Sequence, residues 1–286
     1  VDPALDAARF AHFAATMTLF GSLWFSAALA PASLVGALRT RRADIFLSAL
    51  ALASALCWAV GVARDMAGGD LDAQTFRDVL TDTEFGVVWQ VRLAILVGLP
   101  LAALWRANRL SLALAGLAVA SLALVGHAAM QSGGLGVAHR LNRAAHLLAA
   151  SGWIGGLPPF LVCLIVWTRA PQRHDALTAM RRYSTFGHFA VAATLISGAL
   201  DVGMTVGALP WPPLTGYRAL LDLKIALVAA MVALALFNRY VASPRIARSP
   251  AWARTLGFGA AAEIVLGGLV LACVTIFATL DPNAKL

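Results

Sequence analysis

Apolar runs long enough to cross a bilayer dominate this chain, with short polar gaps between them. Eight stretches reach the roughly 20 residues that a spanning helix needs: near 7–36, 45–66, 86–105, 110–131, 140–168, 179–207, 216–238 and 252–280. Leu93–Leu104 and Ile225–Phe237 contain no ionisable residue at all. The longest polar gap, from Ala67 to Thr83, holds Leu71, Phe76, Val79 and Leu80 at spacings that predict a short amphipathic helix resting on the membrane. The pattern predicts an all-α polytopic membrane protein with eight transmembrane helices in a single membrane domain, 1–286.

Charge sets the orientation. Arg39, Arg41 and Arg42, then Arg106 and Arg109, then Arg169, Arg173, Arg181 and Arg182, then Arg239, Arg245, Arg248 and Arg254 mark alternate gaps. Lys and Arg collect on the cytoplasmic side, so both termini are expected outside, which is the periplasm in a Gram-negative cell. Asp65, Asp70, Asp72, Asp78, Asp82 and Glu84 crowd one outer loop. The net charge of +8 therefore sets topology and does not point to nucleic acid. Composition agrees: 60% of residues are apolar and 13% charged, against about 25% charged in soluble domains. Without a soluble domain, and with no GxGxxG or GxxxxGK motif, a Rossmann or P-loop enzyme is excluded. Cys57, Cys163 and Cys273 each stand alone in apolar runs and read as small buried hydrophobes. The first run lacks a basic n-region or small-residue cleavage site, so it reads as a mature helix.

A small pattern occurs twice. Ala11-His12-Phe13-Ala14-Ala15 with Gly21 after it returns as Ala145-His146-Leu147-Leu148-Ala149 with Gly155 after it. Thr83-x-Phe85 with Arg92 returns as Thr215-x-Tyr217 with Lys224, offset by almost the same length of chain. Two repeat halves, 1–133 and 134–286, follow. Four helices in each give both halves the same orientation, related by a pseudo-two-fold axis along the membrane normal.

The repeat puts one histidine of each half at an equivalent depth. His12, His127 and His146 all fall at outer helix ends and are the candidate metal ligands, His12 and His146 facing each other across the axis. His139 and Met130 are candidate auxiliary ligands at the entrance. His139, Asn142 and His146 share one helix face at i, i+3, i+7. Imidazole binds copper, zinc, iron and nickel, and an added thioether favours Cu(I). The competing account is that these histidines only hydrogen-bond between helices. Intramembrane ionisable groups are costly without a role, and that argues for a site. Arg92 and Lys224 lie about two turns inside their helices, and antiparallel neighbours offer Asp65 and Asp201 as structural ion-pair partners. Glu263 has no counterpart in the first half; a proton relay, a pairing with His188 and simple protonation are all open. The glycines of Trp153-Ile154-Gly155-Gly156-Leu157-Pro158-Pro159 allow close helix approach, and its prolines bend the backbone.

Gly126-His127-Ala128-Ala129, followed by His146-Leu-Leu-Ala-Ala-Ser-Gly-Trp153-Ile-Gly-Gly-Leu157, resembles the central signature of the bacterial copper-resistance membrane family CopD/PcoD. So do Thr83-x-Phe85-Gly86-x-x-Trp89-x-x-Arg92 and the Tyr217 to Lys224 segment closing at Asn238-Arg239. The resemblance covers nearly the whole chain. It implies an eight-helix inner-membrane protein that is not an enzyme and moves a copper ion from periplasm toward cytoplasm. A periplasmic copper chaperone and membrane lipid are the expected partners. The family's histidines carry over to His12, His127 and His146. Arg218 departs from it, since glycine usually follows the aromatic there, and His188 matches no family position. The alternative is a haem-binding bundle of the cytochrome b561 kind, which needs histidines paired across helices at two depths. A sensor or a chaperone-docking subunit is a third reading.

Overall fold

The computed structural model describes residues 2–125, 132–169, 171–206, 216–277 and 280, and every regular element among them is helical. In chain order the α-helices are α1 (Pro3–Trp24), α2 (Val35–Leu38), α3 (Arg41–Met66), α4 (Ala73–Asp82), α5 (Glu84–Leu104), α6 (Asn108–Ala120), α7 (Gly133–Ile154), α8 (Leu157–Arg169), α9 (Arg173–Val206), α10 (Tyr217–Phe237) and α11 (Pro250–Phe277). Among the described residues, six segments are long and apolar enough to cross a membrane: Arg41–Met66, Glu84–Leu104, Gly133–Arg169, Arg173–Thr205, Tyr217–Arg245 and Pro250–Ile276. At 1.5 Å per residue, the 21 residues of α5 span about 31 Å, the thickness of a hydrocarbon core. The 22-residue α1 is long enough but more polar, because it carries Arg9, His12, Thr16 and Thr18. The segment Asn108–Leu124 is apolar but shorter.

The exposed surface has the character lipid demands. Phe189 is 71% and Phe258 76% exposed, and Phe46, Val91, Leu117, Ile196 and Val265 also point outward. The inward stripe of α3 is mostly small and polar: Ser48, Ala51, Ser54, Ala55 and Ala59 are buried on it alongside Trp58.

At the centre, α1 packs on α3, α6, α7 and α11, and α7 packs on α9, α1 and α6. The two central helices meet at glycine. A Cβ on Gly21 would sit 2.4 Å from the carbonyl carbon of Gly155, and one on Gly155 would sit 2.2 Å from the Met17 carbonyl oxygen. Only glycine permits this approach. Gly155 also separates α7 from α8, whose first turn takes Pro158 and Pro159 where an amide donor is not needed.

The polar gap after α3 folds as expected into the short helix α4. Asp72 caps it, accepting from the Thr75 N–H at 2.7 Å, and Val79 is its buried residue. These amide hydrogen bonds hold the exposed Asp72 carboxyl below its ordinary pKa.

Candidate functional site

The first-half motif assembles around His12. Thr83 caps α5, accepting from the Gly86 N–H at 2.9 Å. Gly86 leaves room for the end of α4, since a Cβ there would meet the Leu80 carbonyl oxygen at 2.2 Å. Phe85 stacks on Trp89 (centroids 5.0 Å apart, 19° between planes), and Trp89 meets Trp58 edge-on at 5.0 Å. One turn further, Arg92 is 1% exposed and lies over the Trp89 ring at 5.2 Å. Its guanidinium donates to Ser121 Oγ (2.6 Å), the Ala118 carbonyl (3.2 Å) and His12 Nε2 (2.8 Å). His12 Nδ1 faces the Ala51 carbonyl at 2.9 Å, with Ser54 Oγ at 3.4 Å. A carbonyl only accepts and a guanidinium only donates, so the proton is on Nδ1 and the Nε2 lone pair is taken by Arg92. His12 is wholly buried with both nitrogens used.

A similar arrangement surrounds His146, with one change. His146 Nδ1 faces the Thr194 carbonyl (3.1 Å) and Ser197 Oγ (3.0 Å), three residues apart on α9 as Ala51 and Ser54 are on α3. Its proton is again on Nδ1. Among the described residues, however, nothing hydrogen-bonds to His146 Nε2, and the ring is only half-buried. Lys224 stands in the place of Arg92, within electrostatic reach of His146 and Asp201. The α7 face continues outward: Asn142 donates to the Ser197 carbonyl at 2.9 Å, and His139 Nε2 donates to Asp201 Oδ1 at 2.8 Å. A polar ladder thus runs between α7 and α9, whereas the matching region of α1 offers Leu5, whose side chain packs on Gly61.

Several expectations are corrected by this geometry. His12 and His146 each hold Nδ1 against a neighbouring helix, α3 and α9 respectively. Arg92 pairs with His12 and not with Asp65, which lies exposed at the end of α3, too shallow for a cation two turns deep. Asp201 accepts from His139 while acting at a distance on Lys224. Glu263 does not pair with His188, whose nitrogens face the Ser184 carbonyl and the Tyr240 hydroxyl, each at 3.0 Å. His127, Met130 and Thr215 lie outside the described residues. Among the described residues, no three His, Cys, Asp or Glu side chains gather as a metal ligand set.

Sequence reading missed Ser54, Ser121, Thr194 and Ser197. The signal was available only in part, as small polar residues on the inward stripe of spanning helices.

Fold and site together define a multi-pass α-helical membrane protein with an imidazole–guanidinium contact, His12 to Arg92, buried between its helices, and a second imidazole, His146, within electrostatic reach of Lys224. Residues 1–137 match the copper resistance protein D-like N-terminal domain, and residues 177–277 match copper resistance protein D. The chain belongs to the copper resistance protein D family. It is 33% identical to the inner membrane protein YebZ of Escherichia coli (strain K12), over 96% of this chain and 97% of that one. It is 32% identical to copper resistance protein D of Pseudomonas syringae pv. tomato, over 99% and 98%. Copper transport protein CutJ of Bacillus subtilis (strain 168) is 29% identical over 71% of this chain and 38% of its own length. No solved structure matches. The relatives place the chain in the inner membrane as a multi-pass, copper-related protein. The haem alternative finds no support: the families are copper families, and His12 has no nitrogen left for an axial bond.

Proposed function

We propose that this protein binds copper at the outer side of its second half and passes it from periplasm toward cytoplasm, as a transporter and not as an enzyme. One observation carries the reading. His146 presents a lone-pair nitrogen, Nε2, with no partner among the described residues, while its other nitrogen is fixed by Thr194 and Ser197. Such anchoring is how proteins orient a metal-binding imidazole. In this reading His127 and Met130 complete the copper site. The Asp201–His139 pair supplies negative charge at the entrance, where a periplasmic copper chaperone would deliver. His12, from the sequence-derived ligand set, becomes a structural counterpart, because Arg92 already occupies its Nε2.

The same reading takes the architecture as eight spans in two halves, 1–133 and 134–286. α1 and the Asn108–Leu124 segment add to the six long apolar spans. Packing supports the exchange a two-fold axis requires, with α6 resting on α7 and α11 on α1. Gly21 and Gly155, equivalent in the repeat, touch each other as residues on such an axis do.

The test is copper stoichiometry of the purified protein and copper uptake by proteoliposomes for His146→Ala and His12→Ala. Loss in the first with retention in the second is expected. Full retention in His146→Ala rejects the site.

A further inference from the structure

Glu263 lies mid-way along α11, 3% exposed, far along the chain from the copper-site residues. Trp153 Nε1 donates to one carboxyl oxygen (3.2 Å) and Asn238 Nδ2 to the other (2.8 Å). Both donors are neutral. Among the described residues no cation pairs with it. Arg239 donates to the carbonyl and hydroxyl of Ser184 and lies over Tyr240, and Arg245 donates to the Val241 carbonyl. A buried carboxylate held only by two neutral donors is costly as an anion. It is not sealed off, because it lines a cavity of about 260 Å³ toward the arginine-rich end of α9 and α10. That volume holds several waters. The cavity rim includes Leu195 and Leu236, both exposed.

Asn238 supplies the second half of the argument. Its Oδ1 is buried and has no hydrogen-bond partner among the described residues. It sits in the space left by Gly259, where a Cβ would come within 2.1 Å. An amide carries a donor on one side and an acceptor on the other. Nδ2 serves the ionised carboxylate. Turned over, Oδ1 accepts the O–H of a protonated carboxylic acid. The pair thus satisfies either protonation state by one amide rotation.

We propose that Glu263 is a proton-binding station served by this cavity, with Asn238 as its two-state partner. Resting on the copper reading above, it couples copper passage to proton movement. In the loading step a hydronium ion in the cavity gives its proton to a Glu263 oxygen, leaving water and a neutral carboxylic acid; release reverses this. The other titratable or charged groups facing the cavity are Tyr183, His188 and Arg239; from α8 only Leu157 and Phe160 line it. Tyr183 is committed to the Trp153 carbonyl at 2.5 Å, which leaves His188 and Arg239 to set the field at the mouth.

Infrared difference spectroscopy of the purified protein, titrated with pH, tests the site without copper. A carboxylic C=O band that appears on acidification, disappears in Glu263→Gln and shifts in Asn238→Leu is expected. Glutamine preserves size and an acceptor, and the Asn238 variant reports on Glu263 even if Glu263→Gln folds poorly. Absence of the band in wild type, or its survival in Glu263→Gln, overturns the proposal. Copper uptake into proteoliposomes with and without a pH gradient tests the coupling. Gradient-dependent uptake lost in Glu263→Gln, with copper stoichiometry unchanged, is expected. Wild-type uptake indifferent to the gradient overturns the coupling, whereas no wild-type uptake at all, with the band present, sinks the copper reading and leaves the proton site standing.

Discussion

The guanidinium of Arg92 lies 2.8 Å from Nε2 of His12, in a place where neither touches water. This contact distinguishes the two imidazoles. His12 is capped by a cation held at the C-terminal end of α6, while His146 keeps a nitrogen with no hydrogen-bond partner among the described residues, within electrostatic reach of Lys224.

His12→Ala leaves Arg92 one acceptor short in a dry interior. It is expected to cost on the order of 3 kcal/mol of stability, as a buried charged donor loses its partner. Arg92→Met alone strips His12 Nε2 of its donor. The double variant should lose clearly less than the sum of the two, because neither group then waits for the other. Thermal unfolding in detergent of the three variants checks this; strict additivity would show that the contact carries no coupling.

The α1–α7 crossing should be intolerant of a single methyl group. Gly155→Ala drives a Cβ to 2.2 Å from a backbone oxygen, and Gly21→Ala to 2.4 Å from backbone on the facing helix. Backbone cannot step aside as a side chain can, so losses of about 3 kcal/mol or more are expected, at the upper end for overpacking. Gly187→Ala, with nothing within 4 Å of its added Cβ, is the control and should be near neutral. Yield and melting temperature of the monodisperse protein decide the matter.

Copper affinity should depend on Ser197 although Ser197 is no ligand. Its hydroxyl lies 3.0 Å from His146 Nδ1 and helps keep the proton there, so that Nε2 faces the metal. Ser197→Ala is expected to weaken copper binding about 10-fold, the lower end for partners that orient a ligating imidazole. The proton competes with copper for Nε2, so binding should weaken as pH falls and recover as it rises. Equilibrium competition with a copper chelator across pH would reveal both effects; affinity flat with pH would remove imidazole from the ligand set.

Asp72 gives α4 an acid-sensitive start. Its folded pKa is depressed by hydrogen bonds from the Thr75 amide and hydroxyl and, to a lesser degree, the Gln74 amide, so its stabilising effect is present above the unfolded value and is lost as pH falls through the folded one. Amide exchange across 73–82 should therefore accelerate in acid, and Asp72→Ala should show that faster exchange already at neutral pH. Equal protection in both proteins at neutral pH would contradict the cap.

Helical class, the apolar spans and the short amphipathic α4 were legible from the chain, because in lipid every backbone polar group must be satisfied within its own segment. Hydropathy is a local signal, whereas the caps that Thr83 and Asp72 supply to α5 and α4 were seen only in the structure. The doubled His-to-Gly pattern also marked the residues that matter, Gly21 and Gly155 among them. Which partners each described histidine takes was decided by the tertiary structure. The chain shows Arg92 at a depth, and Asp65 is the obvious partner by charge. Only the packing of α1, α3, α5 and α6 turns the guanidinium to His12, because hydrogen-bond direction depends on helix rotation, which no linear spacing encodes. For the same reason Glu263 read as an orphan acid. Trp153 and Asn238, 110 and 25 residues away along the chain, reach it only once α7, the end of α10 and α11 are side by side.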